Sequence, residues 1–210
     1  MPSEQPEFIP TRQSLLSRLK DWDDQESWRE FFDRYWRLIY SVARKAGLTE
    51  MEAQEAVQET LITVSKKISE FKYDAKVGSF KGWLLHITRW RINDQLRKRQ
   101  REQAVLHTRG TPATNRTATI ERVPDQGAAV LDHVWNDEWE KNLVDLAIQR
   151  VKQEVKPRQY QIFDLYVVKK WPVAKVISTL RVNVGQVYLA KHRVGSLIKK
   201  EIKNLQRELI

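Results

Sequence analysis

The stretch TEMEAQEAVQETLITVSKKISEF, residues 49–71, decides the fold class. Thr49 followed three positions on by Glu52 is a capping-box pattern, in which a hydroxyl and a carboxylate satisfy backbone N–H groups at a helix start. Val57, Leu61, Val64, Ile68 and Phe71 then recur at alternating intervals of four and three, which predicts a long amphipathic helix. The same period appears on either side. Ser27, with Glu30 three positions on, reads as a helix start for Phe31, Phe32, Tyr35, Leu38, Ile39 and Val42, and Gly47 ends that helix. A third helix runs from about Phe80 through Trp83, Leu84, Ile87, Ile92 and Leu96 to Arg101, after a loop from Lys72 to Ser79.

From about Gln103 to Gly127 the composition shifts to threonine, proline, asparagine and glycine, the character of a linker. Helical periodicity resumes over Leu131 to Val155, and Pro157 is suited to open a further helix. Pro172 to Leu180, then Arg181-Val182-Asn183, then a helix from Val184 to about Leu205 have the spacing of a helix-turn-helix, with Asn183 placed to cap the second helix. Seven glycines and seven prolines in 210 residues leave little material for the tight turns of a sheet-rich fold. The expected fold is all-α, with two small helical domains joined by a flexible linker. The expected division is an N-terminal extension over 1–26, a first domain over 27–101, a linker over 102–130 and a second domain over 131–210. Residues 1–10 are polar and proline-spaced, and Ser14 to Lys20 is suited to a short helix.

Thirty-seven lysines and arginines against 27 acidic residues give a formal charge of +10, which favours a polyanionic partner. The chain has no cysteine, so disulfides, thiolate metal sites and cysteine nucleophiles are excluded, and a reducing compartment such as the cytoplasm suits it. The opening residues MPSEQPEFIPTRQ lack a secretory pattern, and no apolar run approaches the ~20 residues that cross a bilayer, so no membrane insertion is expected.

Cations concentrate in two places. Arg89 to Arg101 holds six basic residues in thirteen positions, with Trp90, Asn93 and Gln95 among them. Cations neutralise phosphates, amides bond base edges, and an indole stacks on an unpaired base. A solvated basic helix end would carry the same charges without that role. The second place is the C-terminal helix, with Lys191, Arg193, Lys199, Lys200, Lys203 and Arg207. Gln186, Tyr188, Leu189, Lys191 and His192 lie near its start, where a recognition helix enters a major groove. Val187, Val194, Leu197 and Ile198 serve packing on the same helix.

Glu52, Glu55 and Glu59 share one helical face. Without an accompanying histidine ligand, and with His86, His107, His133 and His192 scattered, they suit an acidic docking face or a solvated surface better than a metal site or an acid-base pair. No metal, cofactor or enzymatic activity is expected.

Three stretches together resemble the extracytoplasmic-function (ECF) group of sigma factors, sigma-70 family proteins of bacterial RNA polymerase. They are EAQEAVQET (52–60), similar to region 2.2; YDAKVGSFKGWLLHITRWRINDQLR (73–97), similar to regions 2.3 and 2.4; and VNVGQVYLAKHR (182–193), similar to the second half of the region 4 helix-turn-helix. The resemblance covers roughly 27–101 and 131–208. It implies a transcription initiation factor whose partners are core RNA polymerase, promoter DNA and an anti-sigma factor. It implies that Glu55, Gln58 and Glu59 dock on the clamp helices of the largest polymerase subunit. The loop with Lys72, Tyr73, Lys76 and Ser79 would capture a flipped base of the minus-ten element, and Arg89, Asn93, Arg97 and Lys98, with Trp90 in the same basic run, would contact that element. Gln186, Tyr188, Leu189, Lys191, His192 and Arg193 would read the minus-thirty-five element as duplex. The chain departs from the group's pattern at Arg181, where a turn glycine is common, at Ile177, often alanine, and at Pro172 and Val173, where the helix usually starts with polar residues. A helix-turn-helix regulator acting without polymerase would account for the C-terminal half alone. A nuclease built on the glutamate row would need a metal for which the sequence offers no partner ligand.

Overall fold

The computed structural model describes residues 15–71, 79–108 and 126–208, and all of their regular structure is helical. A short α1, Leu15–Arg18, precedes α2, Gln25–Lys45, α3, Glu50–Lys67, and α4, Phe80–Thr108. After the linker come α5, Gln126–Glu154, α6, Pro157–Phe163, α7, Val173–Leu180, and α8, Val184–Glu208. A π-helical turn, Asp164–Val168, extends α6. Helix thus continues past Arg101 at one end of the expected linker and begins before Leu131 at the other.

Local chemistry sets the helix starts. At α3 the Thr49 N–H donates to Glu52 Oε2 at 2.7 Å and the Glu52 N–H donates to Thr49 Oγ1 at 3.3 Å, the reciprocal box expected from the sequence. The start of α2 differs from expectation. Its cap is Asp24, whose Oδ1 accepts from the Ser27 N–H at 2.9 Å, so the helix begins before Ser27. Glu30 turns outward to Arg18 and Arg34. Asp caps a helix about as well as Ser, so the earlier residue takes the role expected of Ser27.

The larger apolar cluster draws on α1 to α4 and continues through α5 into α8. Phe31, Tyr35 and Phe80 form its aromatic centre, with ring centroids 4.9 to 6.2 Å apart. Helix α5 packs against both α2 and α8. Its buried residues Leu131, Trp135, Trp139, Leu143, Ala147 and Val151 recur every four positions. On a helix of 3.6 residues per turn each such step drifts by about 40°, so the stripe winds around α5 and can meet two neighbours. Burying each of the two indoles contributes on the order of 3 kcal/mol. A second, smaller cluster of Ile162, Leu165, Val176, Val182, Val187 and Ala190 holds the helix-turn-helix together.

Candidate nucleic-acid interface

Helices α3 and α4 pack side by side. Their facing charges pair in antiparallel order: Glu52 with Arg99 at 3.2 Å, Glu55 with Lys98 at 3.1 Å and Glu59 with Arg91 at 3.4 Å. Arg91 also donates to Thr63 Oγ1 at 2.6 Å, and Arg99 donates to the Gly47 carbonyl at 3.2 Å. The acidic row and the basic run, read separately in the sequence, are therefore two sides of one ionic seam. The hydrogen bond to Glu55 holds the Lys98 ammonium protonated above its ordinary range, and the Thr49 backbone N–H, aided by Arg99 and Lys98, holds the Glu52 carboxyl below its own. Gln58 is exposed, and Glu55 and Glu59 are partly so.

Along α4, Trp90 is 46% exposed, with the Arg91 guanidinium 4.4 Å from its ring centroid. Asn93, Arg97 and Lys98 are exposed beside it. Gln95, one of the amides in the basic run, is buried among the helices and does not share that surface. Ser79 lies just before α4 and its Oγ accepts from the Gly82 N–H at 3.3 Å, so its hydroxyl serves the helix start. Lys72, Tyr73 and Lys76 lie outside the described residues. Arg89 points the other way, toward α5, where it forms an ion pair with Asp132.

In the helix-turn-helix the turn is closed from both sides. Arg181 takes the left-handed conformation at φ 50°, ψ 52°, which explains why a glycine suits this position. Arg158, from α6, donates to the Leu180 carbonyl at 3.0 Å, a contact that sequence spacing did not announce. Asn183 and Gln186 make a reciprocal cap: the Gln186 N–H donates to Asn183 Oδ1 at 2.8 Å and the Asn183 N–H donates to Gln186 Oε1 at 3.0 Å. Gln186 is thereby engaged in building the helix start. Ile177 is half-buried against the small cluster, filling the place where alanine is usual. Tyr188, Leu189, Lys191, His192 and Arg193 are all exposed on α8, while Val187 and Ala190 between them face the core. Tyr188 meets Tyr166 edge-on with centroids 6.0 Å apart, and Lys191 lies 5.6 Å from the centre of the Tyr166 ring. This surface joins apolar rings with cations and suits a groove whose walls are phosphate.

Residues 31–102 match the family model for sigma-70 region 2, and this match spans α3, most of α2 and α4, and the seam between α3 and α4. The match is confined to this segment, about a third of the chain. The chain is similar to the ECF RNA polymerase sigma factor SigM of Mycobacterium tuberculosis, in strains Erdman and H37Rv, with 28% identity over 98 residues, covering 47% of this chain and 48% of SigM. The chain spans about half the length of the curated relatives it matches. Among solved structures, the match to a chain of the RsbN–BldN complex covers 88% of this chain and 97% of that chain, at 14% identity with a TM-score of 0.34. The structure of CnrH in complex with the cytosolic domain of CnrY covers 90% and 96% at 13% identity with a TM-score of 0.35. No helix among the described residues is long and apolar enough to cross a membrane, and among them no group of three His, Cys, Asp or Glu side chains gathers to hold a metal ion.

Proposed function

We propose that this chain is an ECF-type transcription initiation factor of the sigma-70 family that binds core RNA polymerase, directs it to promoters and acts in the cytoplasm by binding rather than by catalysis. The observation that carries the reading is the α3–α4 seam inside the region 2 match, where an acidic row lies along a basic helix with an exposed indole. Region 2 would occupy 27–101 and region 4 would occupy 131–210, with 102–130 between them. Glu55, Gln58 and Glu59 would dock on the polymerase. Trp90, Asn93, Arg97 and Lys98, with Arg89 once released and with Lys72, Tyr73, Lys76 and Ser79 before them, would hold the minus-ten element. Melting would proceed by capturing unstacked bases, with the stacking energy of the duplex replaced by contacts to aromatic and cationic side chains and no nucleotide hydrolysis by the chain itself. Tyr188, Leu189, Lys191, His192 and Arg193, with Gln186 shaping the helix start, would read the minus-thirty-five element. An anti-sigma partner would act by covering these surfaces.

Transcription in vitro with core polymerase on a genomic fragment library tests the proposal. The expected result is a discrete set of start sites that depends on both the chain and the core enzyme. Tight, specific binding to an unmelted duplex without polymerase, together with no directed initiation, would replace this reading with that of a stand-alone helix-turn-helix regulator.

A further inference from the structure

Helix α8 carries Tyr188 and Lys191 three residues apart on one exposed face, while Val187, Ala190 and Val194 face inward. Both exposed side chains end on the same ring. Tyr188 meets Tyr166 with planes inclined by 88° and centroids 6.0 Å apart, and the Lys191 ammonium lies 5.6 Å from the centre of the Tyr166 ring. The quadrupole of the ring accounts for both contacts, since aromatic pairs favour an edge-on approach and an ammonium favours the negative face. Tyr166 stands outside the recognition helix, in the π-helical turn between α6 and α7.

The backbone that carries Tyr166 is irregular and closed on itself. The Lys169 N–H donates to the Asp164 carbonyl at 2.8 Å, one residue further than an α-helical bond reaches. The Trp171 N–H donates to the Leu165 carbonyl at 2.9 Å, and Lys169 pairs with Asp164 across the turn at 3.1 Å. Lys170, between those two donors, has a left-handed φ of 55°, where a side chain is strained. Leu165 is buried in the small cluster and anchors the turn there. Tyr166 is thus mounted on a fixed piece of chain.

Folding alone does not call for this ring. Tyr166 is half-buried at the edge of the small cluster, whose interior is filled by Val176, Val182 and Val187. Its partners on α8 remain open to solvent, Tyr188 at 51%. Contacts of this kind at an exposed site add little stability, but they remove rotamers from two long side chains before DNA arrives. Three residues of helix advance about 4.5 Å and one base-pair step about 3.4 Å, so Tyr188 and Lys191 are spaced for neighbouring base pairs. An ammonium bonds guanine acceptors and a ring covers a thymine methyl, and each discriminates only when held opposite its own pair.

We propose, resting on the minus-thirty-five role assigned to α8, that Tyr166 is a positioning residue that sets base preference by holding Tyr188 and Lys191 over two neighbouring base pairs. It adds to the reading surface a residue from outside the recognition helix that touches no base itself.

The full chain is compared with Tyr166→Phe and Tyr166→Leu, each bound with core polymerase to promoters randomised over the minus-thirty-five region. Tyr166→Phe keeps the ring and should select the parent's sequence. Tyr166→Leu keeps apolar bulk without a ring edge or face, and should lose at least about fivefold of the parent's preference at two neighbouring base pairs, with the rest of the element read as before. A uniform loss of affinity with preference intact would overturn the proposal, because a ring with a structural role alone acts that way. A changed preference in Tyr166→Phe would also overturn it, by making the phenol itself a reader. Lys191→Ala should remove the preference at one of the two pairs, and adding Tyr166→Leu should change that pair no further; additive effects there would count against positioning. Because leucine can loosen the turn, a further variant places pentafluorophenylalanine at position 166, which keeps the shape of the ring and reverses its quadrupole. It should lose the preference at the base pair assigned to Lys191, and parent-like preference there would overturn the proposal. A parent chain that selects no sequence with core enzyme would count against the sigma-factor reading instead. The same chains on free randomised duplex would then decide whether Tyr166 governs base preference, and no preference in that format would overturn its role as well.

Discussion

The Lys98 ammonium lies 3.1 Å from a Glu55 carboxylate oxygen, joining a residue proposed to touch DNA with one proposed to touch polymerase. Both side chains are about half exposed, so solvent screens the pair and it contributes little to folding. Glu55→Lys would set two cations face to face and reverse the charge offered to the polymerase. The expected outcome is a chain that folds normally and binds core enzyme at least about tenfold more weakly, since like charges across an interface cost several kcal/mol. A pull-down with core polymerase and a melting curve on the same preparation check it. Equal retention by both chains would remove Glu55 from the docking surface.

Arg181 carries a left-handed backbone conformation in the turn between α7 and α8, where a side chain is strained and glycine is not. Arg181→Gly should relieve that strain, with part of the gain offset by the greater freedom of glycine in the unfolded chain. The expected net effect is a stabilisation of about 0.5–1 kcal/mol, read as a higher urea midpoint at unchanged slope. A lower midpoint would mean that the arginine side chain itself supports the turn.

The Thr49–Glu52 box and the capping role of Asn183 were legible in the sequence because each is made within four residues, by side chains that point at their own backbone, whereas the returning bond from Gln186 was not read there. The seam from Glu55 to Lys98 was not, since the partners lie 43 positions apart and either row alone reads as a solvated surface. Helix α5 shows a different limit. A stripe recurring every four residues says only that the buried face winds, not which neighbours it meets. Its seat on α2, across the linker, depends on the complementarity of Glu138 with Lys45 and of Trp139 with Tyr35, which no single helix displays. The inward face of α8 followed from Val187, Val194 and Ile198, all of which are buried.

Acid should weaken the start of α3. The Thr49 backbone N–H, with Arg99 and Lys98 behind it, holds the Glu52 carboxyl below its ordinary 4.5. A carboxyl lowered on folding contributes stability that is present above its unfolded value and is lost as pH falls through the folded one. Glu52→Gln keeps an acceptor for the cap and removes the titration. The parent should therefore exceed the variant in stability at pH 7 by more than it does at pH 3, measured by denaturant unfolding at both. A constant difference would show that the charge of Glu52 adds nothing beyond the hydrogen bond.

Substitutions at Trp90 and Asn93 should separate melting from duplex binding if the proposed role holds. The indole is exposed on α4, flanked by Arg91, and Asn93 is exposed one turn further along. Neither side chain supports the core, so Trp90→Ala and Asn93→Ala should fold like the parent. An aromatic ring has little to hold in a stacked duplex, whereas stacking on an unpaired base is worth about 1–3 kcal/mol. With core polymerase, each variant should therefore lose several-fold more in open-complex formation, read by permanganate reactivity of unpaired thymines, than in closed promoter binding, read by gel shift at low temperature. The tryptophan variant should be the more affected, because the amide can be replaced in part by water and the ring cannot. Equal losses in the two assays would assign Trp90 to duplex positioning and move base capture elsewhere in the chain.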